Sequence, residues 1–363
     1  MKRVGAGHAL YDDRRGFLRK GVWAASAAAV GGLFFGDRPS ALAQAEDGRD
    51  LTAGDVAILR FLAAAEILES DLWQQYNELG GVDAAPSGYV AALSVLDGDM
   101  SQYIADNTDD EISHENFLNG YLASKGASPV NFDAFRTLPS SQASGAKQIG
   151  RLTNLMRLTV DTSWWTRYRG TTNPDLGATF PQAIPSLNIG QHTAIPRNDA
   201  ELGDPNNISN HVQAIANTAG FHFAFIEQGG SSLYATMAQK VTNLEVLRIV
   251  VSIGPTETAH FQTWHDKAGN APPVTDGSLV FPDFNSPAFS GENLKKNLIM
   301  PEPCEFLRGL PACSIVRPTA TKGVAMGAVK ALTRDGLFLG QSREFFEFLR
   351  ELAEEADKAT REL

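Results

Sequence analysis

Glu111-Ile112-Ser113-His114 and Glu257-Thr258-Ala259-His260 write one pattern, Glu-x-x-His, twice in a chain of 363 residues. On a helix, positions i and i+3 project to the same side, so each unit offers a carboxylate and an imidazole to a common point. A single copy is ordinary on a solvated helix face. Here each copy is matched by a lone acid in another apolar stretch: Glu66 within Ala63-Ala64-Ala65-Glu66-Ile67-Leu68, and Glu227 within Phe221-His222-Phe223-Ala224-Phe225-Ile226-Glu227. Charged side chains are rarely buried unpartnered, and carboxylates that face one another in a core repel. A pair of divalent cations resolves both problems. Hard oxygen donors with imidazole and no thiolate suit iron or manganese, and four carboxylate charges balance two such ions.

The elements that must carry these residues are helices. From Leu51 to Leu79 apolar residues recur at helical spacing, with Thr52 placed to cap the start and Gly80-Gly81 to end it. A connector over 82–87 follows. Helical pattern resumes at Tyr89, breaks at Asp97-Gly98 and runs to Lys125-Gly126, with Tyr103, Ile104, Asn107, Glu111, His114, Leu118 and Tyr121 on one stripe. Glu66 and Glu111 lie about equally far from the connector, so an antiparallel hairpin brings them level. In the second half Thr242-Asn243-Leu244-Glu245 reads as a capping box after a tight turn. Glu227 and Glu257 are each 15 residues from position 242, about 22 Å along each helix at 1.5 Å per residue. Helix breakers flank both, Gly229-Gly230 and Gly254-Pro255, where a kink could re-aim a ligand or simply be tolerated.

The order Glu, Glu-x-x-His, Glu, Glu-x-x-His resembles the dinuclear carboxylate site of the ferritin-like superfamily. Leu59-Arg60-Phe61-Leu62-Ala63-Ala64-Ala65-Glu66-Ile67-Leu68-Glu69 and the Glu227/Tyr234 spacing are similar to the first- and third-helix patterns of its desiccation-related proteins. The resemblance covers about 51–127 and 215–270. It implies an all-α fold, an antiparallel four-helix bundle over 51–270. It also implies metal bound by Glu66, Glu111, His114, Glu227, Glu257 and His260, two iron ions or else manganese. The chemistry implied is oxidation with oxygen or peroxide, with Tyr234 or Tyr121 as neighbours of the site. Glu69 is either a partner of the ligands or an interior acid beside them. Three functions stay open on the sequence: an oxidase, ferroxidase or catalase-like enzyme; a metal-binding or storage protein; and a metal-free stress or desiccation scaffold. Storage in a closed shell fits poorly with a long insertion and tail.

Residues 1–43 read as an export leader. Asp13-Arg14-Arg15-Gly16-Phe17-Leu18-Arg19-Lys20 resembles a twin-arginine signal, an apolar run from Gly21 to Gly36 follows, and Ala41-Leu42-Ala43 offers a small-x-small cleavage site. The run falls short of the roughly 20 residues that span a bilayer. The destination expected is periplasmic or secreted. Taking seven basic and three acidic residues away with the leader leaves 24 against 39, a net charge of −15, which argues against a nucleic-acid partner. No later apolar run approaches spanning length.

An insertion over 128–215 separates the hairpins, with a helical stretch expected from Gly145 to about Thr159. Val160-Asp161-Thr162-Ser163-Trp164-Trp165-Thr166-Arg167-Tyr168-Arg169 is read either as a loop anchor or as a contact patch. The other histidines, His222 and His265 among them, are rotated off the ligand face. Residues 271–363 form an extended segment and two short helices, about 320–335 and 342–361, expected to pack on the bundle or, as a homo-oligomer, on a second copy. Cys304 and Cys313 are the only cysteines, and in an oxidising compartment a disulfide between them is expected.

Overall fold

The computed structural model describes residues 51–168, 180–286, 302–304, 309–311, 313–315 and 322–362. The leader over 1–43, Arg169 and the stretch that follows it to 179 lie outside the described residues.

Thr52 opens the first helix, α1 (Ala53–Gly80), with a capping box. Its hydroxyl accepts the Asp55 amide at 3.0 Å and its own amide donates to the Asp55 carboxylate at 3.3 Å, filling two positions that a helix start leaves unbonded. The break at Asp97-Gly98 separates α2 (Gly88–Leu96) from α3 (Met100–Ser124). Among the described residues of the insertion lie three short α-helices: α4 (Ser163–Arg167), α5 (Pro185–Ile189) and α6 (Asp199–Leu202). Ser209 caps α7 (Asn210–Met237) by accepting the Val212 amide, so the insertion closes ahead of 210 and not at 215. Then come α8 (Leu244–Ala268), α9 (Val324–Asp335) and α10 (Arg343–Lys358).

The capping box expected at Thr242 is a different cap. Asn243 accepts the Glu245 and Val246 amides, while the Thr242 amide donates to Asp55 at 2.8 Å. A carboxylate from the start of α1 thereby ties down the turn between α7 and α8.

Cross-helix bonds fix the directions of the four long helices. The Thr108 hydroxyl donates to the Trp73 carbonyl, Tyr121 reaches Glu245, Ser231 meets Thr258, and Tyr76 meets His222. Early residues of α3 and α8 thus meet late residues of α1 and α3, as the antiparallel packing of a four-helix bundle requires. Its centre is aromatic: Trp73, Phe223 and Trp264 are fully buried and in ring contact. Such side chains bury roughly 150–250 Å² each. Among the described residues no helix is long and apolar enough to cross a membrane.

The stretch from Gly145 to Thr159 is not a helix. The amides of Leu152 and Thr153 both donate to Asp71 on α1, those of Asn154 and Thr159 donate to carbonyls of Leu337 and Asp335, and Leu158 forms a β-bridge with His192. Amides committed to α1 and to the C-terminal extension cannot also build an i to i−4 ladder. Trp164 and Trp165 are the anchor, not an exposed patch. Both are buried, Trp164 against Phe261 and Trp165 against Phe221 and Phe284.

Among the described residues two hairpins form in the segment whose sequence predicts only extended chain. Strands β1 (Val274–Asp276) and β2 (Leu279–Phe281) pair through a turn in which Gly277 has φ of 58°, and β3 (Glu302–Cys304) pairs with β4 (Cys313–Ile315). The β3–β4 register sets Cys304 opposite Cys313. The Cys313 thiol is nonetheless free and exposed, its sulfur 3.8 Å from the Ser314 carbonyl, so the expected disulfide is not formed in this structure; the Cys304 side chain lies outside what is described. The tail packs on α1 of the bundle and on the insertion: Phe345, Leu349 and Leu352 of α10 are buried, with Phe345 against Phe132 and Phe135 of the insertion. Each such side chain contributes about 1.5–3 kcal/mol of burial.

Candidate metal centre

Glu66 comes from α1, Glu111 and His114 from α3, Glu227 from α7, and Glu257 and His260 from α8. They converge between the helices at one level. Two sets of donor atoms form, Glu66/Glu111/His114/Glu257 and Glu111/Glu227/Glu257/His260, and within each set the atoms lie within 4.8 Å of one another. Glu111 and Glu257 belong to both. His114 Nδ1 lies 3.2, 3.3 and 3.4 Å from oxygens of Glu111, Glu257 and Glu66. His260 Nδ1 lies 3.1 and 3.2 Å from oxygens of Glu111 and Glu227. All four glutamates are 0% exposed.

The donor set fits a pair of divalent cations. Both oxygens of Glu257 and Oε2 of Glu66 are buried without a hydrogen bond, whereas buried acceptors ordinarily find a donor. Two ions, each with two shared and one private carboxylate and one imidazole, would satisfy every one of these atoms.

A family model of the ferritin-like domain matches residues 54–269, more than half of the chain. The chain belongs to the ferritin-like domain family. No curated protein and no solved structure matches it. The ferritin-like domain ends with α8, so the two hairpins, α9 and α10 are additions to it.

Within the ferritin-like domain, burial and then the charges of Glu111 and Glu66 push Glu257 well above the usual carboxylate range, and burial with the Glu227 charge raises Glu111 to about 7. Burial works the other way on the imidazoles and is outweighed. The hydrogen bond to Glu111 and the nearby carboxylates of Glu257 and Glu66 hold His114 above its ordinary value, as Glu227 and Asp110 do for His260. The cluster therefore favours positive charge at its centre.

Further residues support the ligands. Tyr234 donates a hydrogen bond to Oε1 of Glu66. Asn107 donates to Glu111 at 2.8 Å and to Glu227 at 3.0 Å, and accepts from Trp264 at 2.8 Å. His260 meets Asp110 through Nε2 at 3.0 Å. Asn107 was visible as a stripe member one turn before Glu111. Asp110, on an exposed edge of α3, carried no signal. Tyr121 is corrected: ten residues past Glu111, about 15 Å along the helix, it donates to Glu245 at 2.8 Å and takes no part in the site. Glu69 is half-buried beside the cluster, outside both donor sets, with its carboxyl raised by burial and then by Glu257 and Glu66.

The helix breakers mark close approach. A Cβ at Gly230 would fall 2.4 Å from Oε2 of Glu257, and one at Gly254 would fall 2.8 Å from Cβ of Tyr234. Glycine lets α7 and α8 come together at the level of the ligands. Helix α8 runs on through Pro255, which is exposed, as is Val251, so the carbonyl left without a donor is open to water.

Proposed function

We propose that this is an exported ferritin-like protein whose paired site holds two iron ions, with manganese as the alternative, and carries out oxidation with oxygen or peroxide in protection against stress. The observation that carries the reading is the sharing of Glu111 and Glu257 between two donor sets. Glu111 and Glu257 would hold both ions jointly, with one further carboxylate and one imidazole for each. A ferrous pair would supply two electrons together to oxygen or peroxide.

The chain's own residues supply the rest. Asn107 presents both amide hydrogens to ligand carboxylates and fixes their rotamers, while Tyr234 keeps one oxygen of Glu66 engaged so that the other faces the site. Burial of all four glutamates excludes bulk water, which strengthens each charge interaction. Export through a twin-arginine route, supported by Arg14-Arg15 and the cleavage box at Ala41-Leu42-Ala43, would carry the folded, metal-loaded protein. The likeness to desiccation-related proteins supports a role under drying or oxidative stress.

Metal analysis tests the reading most directly. Protein made in metal-replete medium is expected to hold close to two equivalents of iron or manganese, and His114→Ala or His260→Ala should abolish peroxide consumption with helix content unchanged. Metal-free protein, or undiminished consumption in both variants, would point to a scaffold instead. Replacing Arg14 and Arg15 by Lys should strand the precursor in the cytoplasm, and normal export would remove the proposed address.

A further inference from the structure

A line of aromatic rings leads from the ligand cluster to the C-terminal extension. Asn107, bonded to Glu111 and Glu227, accepts the indole N–H of Trp264 at 2.8 Å. Trp264 stacks on Trp73 with centroids 5.3 Å apart, and Trp73 lies 5.7 Å from Tyr76. Phe223 sits within 4.8 Å of all three rings. Tyr76 ends the line. Its phenol oxygen is 2.8 Å from Nδ1 of His222, and Nε2 of His222 is 3.1 Å from Asp335 of α9. None of these three side chains is more than 2% exposed.

We propose that Tyr76 is a redox-active tyrosine serving the paired site: it gives up an electron through Trp73 and Trp264 and its proton to His222. The inference rests on the dinuclear reading above.

The proton decides which ring keeps the oxidation. An oxidised indole or phenol is strongly acidic and comes to rest as a neutral radical only where a base takes its proton. The Trp73 N–H is buried with no acceptor, and that of Trp264 faces an amide oxygen, a poor base. Tyr76 alone faces an imidazole. With Asp335 accepting from Nε2, His222 keeps its Nδ1 lone pair for the phenol proton. One oxygen of Asp335 has no hydrogen bond, so the carboxylate retains capacity to stabilise the imidazolium that forms. Burial above all, then Tyr89 and Asp335, holds the phenol protonated well above its ordinary range, so its oxidation must be coupled to proton loss.

The step balances with hydrogen peroxide as oxidant. Hydrogen peroxide takes up two electrons, and two protons from the buffered solvent, as its O–O bond breaks to give two water molecules. A metal pair held by the two donor sets, with one ion ferrous, would supply one electron. Tyr76 supplies the other: its O–H bond breaks, the electron passes along the rings, the proton goes to Nδ1 of His222, and a neutral phenoxyl radical remains.

The experiment is rapid-freeze electron paramagnetic resonance on iron-loaded, half-reduced protein mixed with hydrogen peroxide, with iron content and peroxide consumption recorded on the same samples. The expected result is a tyrosyl signal that narrows when the protein carries ring-deuterated tyrosine and is lost in Tyr76→Phe and in Trp73→Phe at unchanged iron content. Asp335→Asn should also lose the signal while still binding iron, which a merely structural role for Asp335 would not produce. If Tyr76→Phe fails to fold, 3-fluorotyrosine placed at 76 keeps the hydroxyl and should add fluorine splitting, and its absence overturns the assignment. In metal-free protein, nitrogen NMR of His222 should show the proton on Nε2, and a proton on Nδ1 instead would count against the proposal. Iron bound and peroxide consumed without a signal from Tyr76 overturns this inference alone. Protein that binds no iron overturns it together with the dinuclear reading.

Discussion

His114 and His260 hold equivalent places in the two Glu-x-x-His units, yet only His260 is braced from behind. Its Nδ1 faces the ligand carboxylates while Nε2 meets Asp110 at 3.0 Å, and its neighbour Glu227 is held by Asn107. His114 turns Nδ1 to Glu111, Glu257 and Glu66, but its Nε2 has no partner among the described residues. On that side the carboxylate not shared with the other set, Glu66, is secured by Tyr234. A carboxylate behind a ligating histidine fixes the ring and raises its basicity. Two identical motifs therefore make unequal half-sites, because the motif specifies ligand types and the neighbouring helices specify how firmly they are held.

Removing what the halves share should have the largest effect. Glu257→Ala deletes a ligand common to both donor sets, so metal content is expected to fall from a full pair to almost none, read by elemental analysis after dialysis. Retention of one firmly held ion would mean that the halves are more independent than their shared carboxylates imply.

Next in size is the order of filling. At limiting metal the first ion should occupy the His260 side, so His114→Ala should keep one ion while His260→Ala loses both more readily. Paramagnetic NMR shifts at the two imidazoles during titration would report the order, and first occupation at His114 would break the comparison.

Asp110→Asn should sharpen the comparison by levelling it. Loss of a carboxylate behind a ligating histidine typically weakens metal binding about 10–100-fold, and that loss should fall on the His260 side alone. Equal weakening at both positions, seen by calorimetric titration, would argue against bracing through Asp110.

The smallest expected effect is that of pH on the metal-free fold. A glutamate titrates near 4.5 when unperturbed, whereas Glu111 in the fold is raised to about 7. Between those values the folded protein holds a proton that the unfolded chain has lost, so stability should fall as pH rises across the window. The raised imidazoles act in the same direction, their contribution being lost above the ordinary histidine range. Metal requires the deprotonated carboxylates, so binding should strengthen over the same interval, and a cation at 100 times its dissociation constant adds about 2.7 kcal/mol. Melting temperatures from pH 5 to pH 8 should decline without metal and hold or rise with it. A metal-free melting temperature that climbs with pH would show that the shared acids are not the strained point.

The four long helices and the six residues of the two candidate donor sets were legible in the sequence because their signals are local. Apolar residues at helical spacing, Thr52 at a start and Glu-x-x-His at i and i+3 are properties of one segment at a time, and they hold whatever lies across the bundle. The same locality explains the misreadings. Gly145–Thr159 carries apolar spacing that resembles a helix, but its amides are taken by Asp71, Leu337 and Asp335. Tyr121 shares a stripe with the ligands, yet the stripe is longer than the site, and this tyrosine meets Glu245 instead.

By itself the sequence determined which side chains can ligate, on which helices they stand, and that two hairpins bring them level. Tertiary structure decided how those ligands are held and what they are connected to. Asn107 reaches Glu227 across 120 positions of sequence, Asp110 reaches His260 across 150, and Tyr76 reaches His222 across 146. A hydrogen bond forms only when donor and acceptor approach within about 3 Å, and no periodicity in one helix encodes the rotation of another about its axis. That rotation is set by packing, here by Gly230 and Gly254 at the α7–α8 contact and by Trp73, Phe223 and Trp264 at the centre.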